Sequence, residues 1–269
     1  MLSSFLHRLL VIIVVLPFCI NSYAIENRYS PAWQQMKTQY FGKRDIHENA
    51  NDILKLEVPQ RVEDAAVVPV TITSSLEVDS QSQYIKTIYL IVDNNPQPYS
   101  AVFHLSPTLG QVVLSTRIRM DSFSSVRVIA EMNDNSLNMV EKFVIASGGC
   151  SAPSSKDAQA LLASLGQVKI RMRKPVIGET TTAQVIISHP NANGLQMNPN
   201  TGEYIPAFYV TNFKVWFNDD LLIRAETGFT LSETPSIRFN FIPKTVGSLK
   251  VEIKDSKNNI YSSSRGVDD

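Results

Sequence analysis

The chain has 269 residues, of which 43% are hydrophobic and 19% are charged. Its 25 basic and 25 acidic residues give a formal net charge of zero, so the chain has no overall cationic field to attract nucleic acid. This length fits one large domain or two of ordinary size, and either can fold without a disulfide framework. The two cysteines, Cys19 and Cys150, form at most one bridge and exclude a four-cysteine zinc site.

The N-terminus has the layout of a secretory signal peptide. One basic residue precedes the apolar run 9–20, and small residues precede a cut after Ala24. The run is too short for a membrane-spanning helix. Cys19 follows Phe18, where a lipoprotein cleavage site needs a small residue, so we expect no lipid anchor. Removal of residues 1–24 leaves Cys150 as the only cysteine of the exported chain.

A short helix is predicted after the signal peptide. Pro31 suits the first helical position, residues 32–41 are good helix formers, and Gly42 suits the position after the helix. Its predicted buried face contains Trp33, Met36 and Tyr40. The polar segment 45–52 is predicted to be a loop.

The rest of the chain alternates apolar and polar residues with a period of two, which is typical of β-strands with one buried face. Strands are predicted at 53–58, 67–73, 84–92, 101–105, 111–120, 125–132 and 139–146. A second series is predicted at 167–173, 180–188, 207–217, 221–226, 236–241, 249–254 and 260–263. Seven short strands per half indicate an all-β fold with two immunoglobulin-like β-sandwiches.

The two predicted sandwiches are separated by a change in composition. Residues 147–155 contain no large apolar side chain and are predicted to form a flexible Gly/Ser/Cys linker, and a short helix is predicted at 157–165. The predicted organisation is a signal peptide at 1–24, a first sandwich at 25–147, a cysteine-bearing linker with a short helix at 148–166, and a second sandwich at 167–269.

Residues for catalysis are scarce. His47, His104 and His189 do not pair at metal-ligand spacing with another histidine, a cysteine or a carboxylate, and no nucleotide-binding or nucleophile-elbow motif occurs. His104 is predicted on a strand surface, and His189 in a turn. We therefore expect a protein that is not an enzyme, with no catalytic residue, no metal and no cofactor apart from an adduct on Cys150.

Cys150 allows two interpretations. A free cysteine is usually a small buried hydrophobic residue. Here its neighbours are Gly148, Gly149, Ser151, Ala152 and Pro153, none of which is large enough to bury it. An exposed thiol in an oxidising compartment oxidises or pairs with another chain, so its retention suggests a nucleophile or an attachment point. The remaining alternative is a cysteine without function or one that joins two copies of the chain.

The strand at the start of the second half is basic on one side. Lys169, Arg171 and Arg173 alternate with apolar residues. These cations form either a solvated face that protects a sheet edge or a docking surface for an acidic partner or an anion.

Several segments together resemble the SoxYZ sulfur carriers, in particular the fused SoxYZ-like carriers associated with quinoprotein dehydrogenases. The segment 144–150, which ends in Gly148-Gly149-Cys150, resembles the carrier terminus of SoxY, as do 93–98 and 103–107. The segments 169–175, 178–179, 187–190, 194–195 and 235–241 resemble SoxZ. Two departures occur: Ser151-Ala152 replaces a second glycine pair, and the cysteine-bearing segment continues into a second domain.

The resemblance implies a periplasmic, non-enzymatic carrier that holds thiosulfonate or persulfide on its cysteine while sulfur-oxidising enzymes process the cargo. Carried over to this chain, the attachment residue is Cys150 and the swinging arm is Gly148 to Pro153. The alternative is a non-covalent binding or assembly protein for a periplasmic quinoprotein (PQQ) dehydrogenase, in which the cysteine carries nothing. Neither function involves nucleic acid or a membrane span in the mature chain.

Overall fold

A computed structural model describes residues 31–76, 83–153, 158–198 and 201–266. The predicted signal peptide lies outside these residues, as do 154–157 of the predicted linker. Helix α1 (Pro31–Phe41), the 3-10 turn Pro107–Leu109 and helix α2 (Ala158–Ala163) are short. The strands are β1 (Ile46–Glu48), β2 (Leu54–Glu57), β3 (Val68–Ser74), β4 (Ile85–Val92), β5 (Tyr99–Leu105), β6 (Val113–Ile118), β7 (Ser124–Met132), β8 (Leu137–Val144), β9 (Val168–Met172), β10 (Thr181–Ile187), β11 (Val210–Phe217), β12 (Asp220–Thr227), β13 (Ser236–Phe241), β14 (Ser248–Asp255) and β15 (Ile260–Gly266).

The all-β class is confirmed, and the strands form two sheets. One has the order β1-β8-β7-β4-β5-β12-β11-β14-β15, and the other has the order β2-β3-β6-β13-β10-β9. Side chains on most strands alternate between buried and exposed, as two sheets packed face to face require.

Both sheets run through both halves of the chain. Strand β5 of the first half pairs antiparallel with β12 of the second, with Phe103 opposite Ala225. Strand β6 pairs with β13 in the same way, with Leu114 opposite Phe239. The buried side chains of both halves form one continuous apolar cluster. The two halves are therefore joined by backbone pairing and a shared core in addition to the predicted linker.

Helix α1 covers the outer face of the nine-stranded sheet over strands β4 and β7. Trp33, Met36 and Phe41 are buried against Ile91 and Ile129. Phe41 therefore takes the place predicted for Tyr40, which is 51% exposed and touches Tyr99 with ring centroids 4.1 Å apart. The helix ends as predicted, because Gly42 adopts a positive φ of 61°.

The predicted loop at 45–52 contains the short strand β1, which pairs parallel with β8, so the loop prediction is wrong for these residues. Three residues are too few to show the period of two on which the strand predictions depend. Among the described residues no helix is long and apolar enough to cross a membrane.

Candidate functional site

Cys150 lies at the end of a segment that follows β8 and is held against the first half. The amide of Gly148 donates to the carbonyl of Asp121 at 2.8 Å, and the amide of Gly149 donates to the carbonyl of Met120 at 2.8 Å. These bonds hold the segment that follows β8 against residues 120–121, which come after β6. The predicted linker therefore begins as an ordered segment.

The two glycines fit this path for different reasons. Gly148 adopts a positive φ of 80°, where L side chains are strained. A Cβ on Gly149 would overlap the backbone carbonyl of Ala65. The glycine pair that suggested mobility is therefore also what allows the backbone to approach Ala65 closely.

The second half covers the other side of the same segment. Asn193 Nδ2 donates to the carbonyl of Cys150 at 2.6 Å, and Gln196 Nε2 donates to the carbonyl of Ala152 at 3.0 Å. Both side chains are buried and belong to the loop that follows β10. The cysteine thus lies between the two halves, in a pocket to which both contribute.

The expectation that nothing buries Cys150 is wrong: its exposed fraction is 0%. Residues distant in sequence provide the burial that its small neighbours lack. Burial raises the pKa of the Cys150 thiol to about 12, the Asp121 carboxylate adds to this rise, and the Arg119 guanidinium opposes it. Since the thiolate is the reactive form, this conformation keeps the sulfur protonated and unreactive at neutral pH.

Arg119 is a buried cation beside this pocket. Its side chain is 2% exposed, and Nη1 donates to the carbonyls of Leu231 at 2.6 Å, Asn191 at 2.8 Å and Phe229 at 3.0 Å. Burial lowers the pKa of Arg119, while negative charge at Cys150 and Glu233 opposes that change. The guanidinium therefore ties the loops of the second half to the end of β6, next to the cysteine.

The remaining residues of the predicted arm lie closer to the surface. Ser151 and Pro153 are exposed, Ala152 is half-buried, and Ser151 Oγ donates to the carbonyl of Gly148 at 3.3 Å. The segment is thus open to solvent on one side. Its described hydrogen bonds lie outside the named strands.

Two of the predicted docking residues, Lys169 and Arg171, lie on the edge strand β9, and Arg173 directly follows it. Lys169, Arg171 and Arg173 are all exposed, and β9 pairs on one side with β10. The structure does not bring them into contact with Cys150.

The sequence pattern did not identify Arg119, Asn193 or Gln196 as part of a site. Arg119 lies within the strand predicted at 111–120, although β6 ends at Ile118, and Asn193 precedes Gly194 in what the sequence indicates is an ordinary turn. The one signal that could have indicated Arg119 is its position directly after Ile118, a buried strand residue. Among the described residues no group of three histidine, cysteine or acidic side chains could hold a metal ion.

Two family models match the sequence. Residues 37–150 match SoxY, described as sulfur oxidation protein SoxY, and residues 170–265 match SoxZ, described as sulphur oxidation protein SoxZ. The first match ends at Cys150, and the two matches together span most of the chain.

Solved structures overlap parts of the chain at low identity. The sulfur carrier protein SoxY from Chlorobium limicola f thiosulfatophilum is 22% identical, with 43% of this chain and 91% of that chain covered and a TM-score of 0.36. The superoxide reductase (neelaredoxin) from Ignicoccus hospitalis is 13% identical, with coverages of 37% and 94% and a TM-score of 0.32. At these TM-scores neither overlap carries an argument about this chain. No curated protein matches it. The two family matches show that this chain contains a SoxY domain followed by a SoxZ domain in one polypeptide.

Proposed function

We propose that this protein is a periplasmic carrier that covalently holds sulfur intermediates on Cys150 while partner enzymes process them. The observation that carries the proposal is the position of Cys150: it ends the SoxY match, follows a glycine pair, and lies in a segment held by hydrogen bonds outside the named strands. The export signal predicted at 1–24 supports a periplasmic location.

In the proposed cycle the arm alternates between two positions. In the closed position the thiol is protonated and shielded from oxidants, because burial disfavours its charged form. Release of the bonds from Gly149 to Met120 and from Asn193 to Cys150 exposes the sulfur and restores an ordinary thiol pKa. The arm then presents Cys150 to a partner enzyme.

Attachment of thiosulfate is an oxidation. A disulfide-type bond forms between Cys150 Sγ and the outer sulfur of thiosulfate, the thiol proton leaves to solvent, and two electrons pass to an electron acceptor in the partner enzyme. The product is a cysteine thiosulfonate. Hydrolytic removal of its terminal sulfonate as sulfate leaves a persulfide on the same sulfur. The carrier provides the sulfur atom of Cys150 and protects it from oxidants, and the partner enzymes catalyse the oxidation and hydrolysis.

The second candidate is a non-covalent accessory protein for a periplasmic quinoprotein dehydrogenase. The observation that favours it is the complete burial of the cysteine, since a thiol that is never used is commonly buried. In that case Cys150 would be a packing residue between the two halves.

Intact-mass measurement of protein isolated from its native compartment separates the two candidates. The carrier predicts adducts of sulfur or thiosulfonate mass on Cys150 that disappear on reduction. The control is Cys150→Ser, which should show none of these adducts. A thiol that is always unmodified, in cells that are oxidising thiosulfate, would support the accessory role and exclude the carrier.

A further inference from the structure

One face of the six-stranded sheet is unusually basic. Four of its six strands, β6, β13, β10 and β9, contain no aspartate or glutamate. Their outward positions instead contain the cations Arg117, Arg238, Lys169 and Arg171, and Arg173 follows directly after β9. Such a composition leaves positive charge on a flat surface, which we call the basic face.

The strand register brings these cations together. Arg238 lies opposite Gln184, and Gln184 lies opposite Arg171, so the two arginines occupy one row two strands apart. Neighbouring strands are about 4.8 Å apart, which places their backbones about 10 Å from each other. Arg238 Nη2 donates to Gln184 Oε1 at 3.4 Å, so the glutamine between them provides a weak neutral contact.

Two open grooves follow this row. One has a volume of about 360 Å³ and is lined by Arg117, Arg171 and Arg238. The other has a volume of about 740 Å³ and is lined by Arg171, Arg173, Lys174 and Arg238, with one carboxylate, Glu179. Three arginines thus converge on the smaller groove without an acidic side chain among its lining residues.

These cations have no carboxylate within ion-pair distance in the described part of the chain. Arg117 donates instead to the carbonyl of Thr234 at 3.0 Å. On the outer face of the other sheet, by contrast, carboxylates pair with two of the cations: Lys214 lies 3.0 Å from Glu252, and Arg224 lies 2.9 Å from Glu226. The chain as a whole is neutral, so the basic face is a local excess of charge.

We infer that the basic face docks an acidic surface of a partner protein. Guanidinium groups bind carboxylates through paired, directional hydrogen bonds, and unpaired arginines at a flat surface gain most from such partners. Nucleic acid is a poorer occupant, because its binding needs many phosphate contacts and a basic domain, whereas this chain is neutral.

The basic face adjoins the cysteine pocket. Arg117 lies on the face, and Arg119, two residues further along the same segment, lies beside the pocket. The carbonyl of the next residue, Met120, accepts a hydrogen bond from the amide of Gly149. A protein docked on the face therefore lies next to the point where the arm opens. We take this partner to be an enzyme that acts on the cargo of Cys150, and this part of the inference rests on the proposed function.

A binding experiment with a fluorescent poly-glutamate peptide tests the face directly. The paired reversal Arg171→Glu/Arg238→Glu should weaken binding by at least ~10-fold, because like charges then oppose each other across the contact. The matched control is Lys250→Glu/Lys254→Glu, which changes the net charge equally on the other sheet and should leave binding unchanged. All four side chains are exposed, so both variants should fold.

Binding should also weaken as sodium chloride rises from ~50 mM to ~300 mM, because salt screens exposed charges. Equal weakening by both variants, or tighter binding of short duplex DNA or of phosphatidylglycerol-containing vesicles, would overturn the inference.

A second measurement separates this inference from the carrier role. Protein purified from the native compartment should show an altered pattern of Cys150 adducts in Arg171→Glu/Arg238→Glu and the original pattern in the control. Absence of adducts in every variant, with peptide binding intact, would refute the carrier and with it the identity of the partner. Adducts that persist unchanged in the reversed variant would refute the docking surface and leave the carrier standing.

Discussion

Cys150 shows how a residue's reactivity depends on segments distant in the chain. Its neighbours in sequence are small, but Asn193 reaches its carbonyl from the second half, and Arg119 and Asp121 influence its pKa from the end of β6. The buried thiol is protonated at neutral pH, because burial raises its pKa to about 12. The proposed carrier requires a second state, in which the sulfur is released and has an ordinary thiol pKa. The proposed carrier depends on the exchange between these two states.

The pH dependence of thiol labelling reports this exchange. Burial raises the pKa of the closed thiol to about 12, so the closed arm binds its proton more tightly than the released arm. The stability of the closed position is fully present below ~8.5, the ordinary thiol pKa, and is lost as pH rises toward the raised value. We expect the labelling rate of the native protein to keep rising about tenfold per pH unit above pH ~8.5.

Gly149→Ala provides the comparison, since its Cβ would overlap the Ala65 carbonyl and displace the arm. In this variant labelling should be at least ~10-fold faster at neutral pH and should level off near pH ~8.5, as for an exposed thiol. The control Ser151→Ala alters an exposed side chain of the same segment and should behave as the native protein. A native rate that levels off near pH ~8.5 would mean that the thiol is not held closed in solution.

At the scale of elements, helix α1 explains why β7 is buried on both faces. One face of β7 meets the core, and the other is covered by the apolar side of α1. The covered side includes Arg127, which is 0% exposed and binds Asp93 through Nε at 2.9 Å and also Glu141. The Arg127 guanidinium also lies over Trp33, 4.5 Å from the ring centroid.

Trp33→Ala should therefore lower the free energy of unfolding by about 3–5 kcal/mol, the usual cost of removing a large buried aromatic side chain. It removes the ring that packs on Arg127 and leaves a cavity above β7. Urea denaturation gives the value. Gln35→Ala, on the exposed side of the same helix, should change stability by less than about 0.5 kcal/mol. A loss below about 1 kcal/mol for Trp33→Ala would contradict the tight packing of α1 on the sheet.

At the scale of the whole molecule, we expect the two halves to unfold as one unit. Strand pairs β5–β12 and β6–β13 cross between them, and one apolar cluster includes residues of both. Separating the halves would leave β5, β6, β12 and β13 each with an unpaired edge.

The two tryptophans, one in each half, test this cooperativity. Trp216→Phe leaves Trp33 as the reporter of the first half, and Trp33→Phe leaves Trp216 as the reporter of the second. In each variant the fluorescence midpoint in urea should coincide with the midpoint of far-UV circular dichroism, because unfolding is a single transition. Midpoints that differ in either variant would show that the halves unfold separately.

The amino-acid sequence by itself determined the strands and their faces, because alternation of apolar and polar residues is a local property. Local sequence also predicted helix α1 and its end at Gly42. The resemblance to SoxY and SoxZ was likewise visible in short local segments. The sequence did not predict the pairing of β5 with β12 or of β6 with β13. Many strands share a similar pattern, and tertiary packing decides which of them pair. The burial of Cys150 also required the folded chain, since Ala65 lies against Gly149, and Arg119 and Asn193 approach Cys150 from other segments. Cys150 was therefore evident from the sequence, whereas its buried position was decided only where the two halves meet.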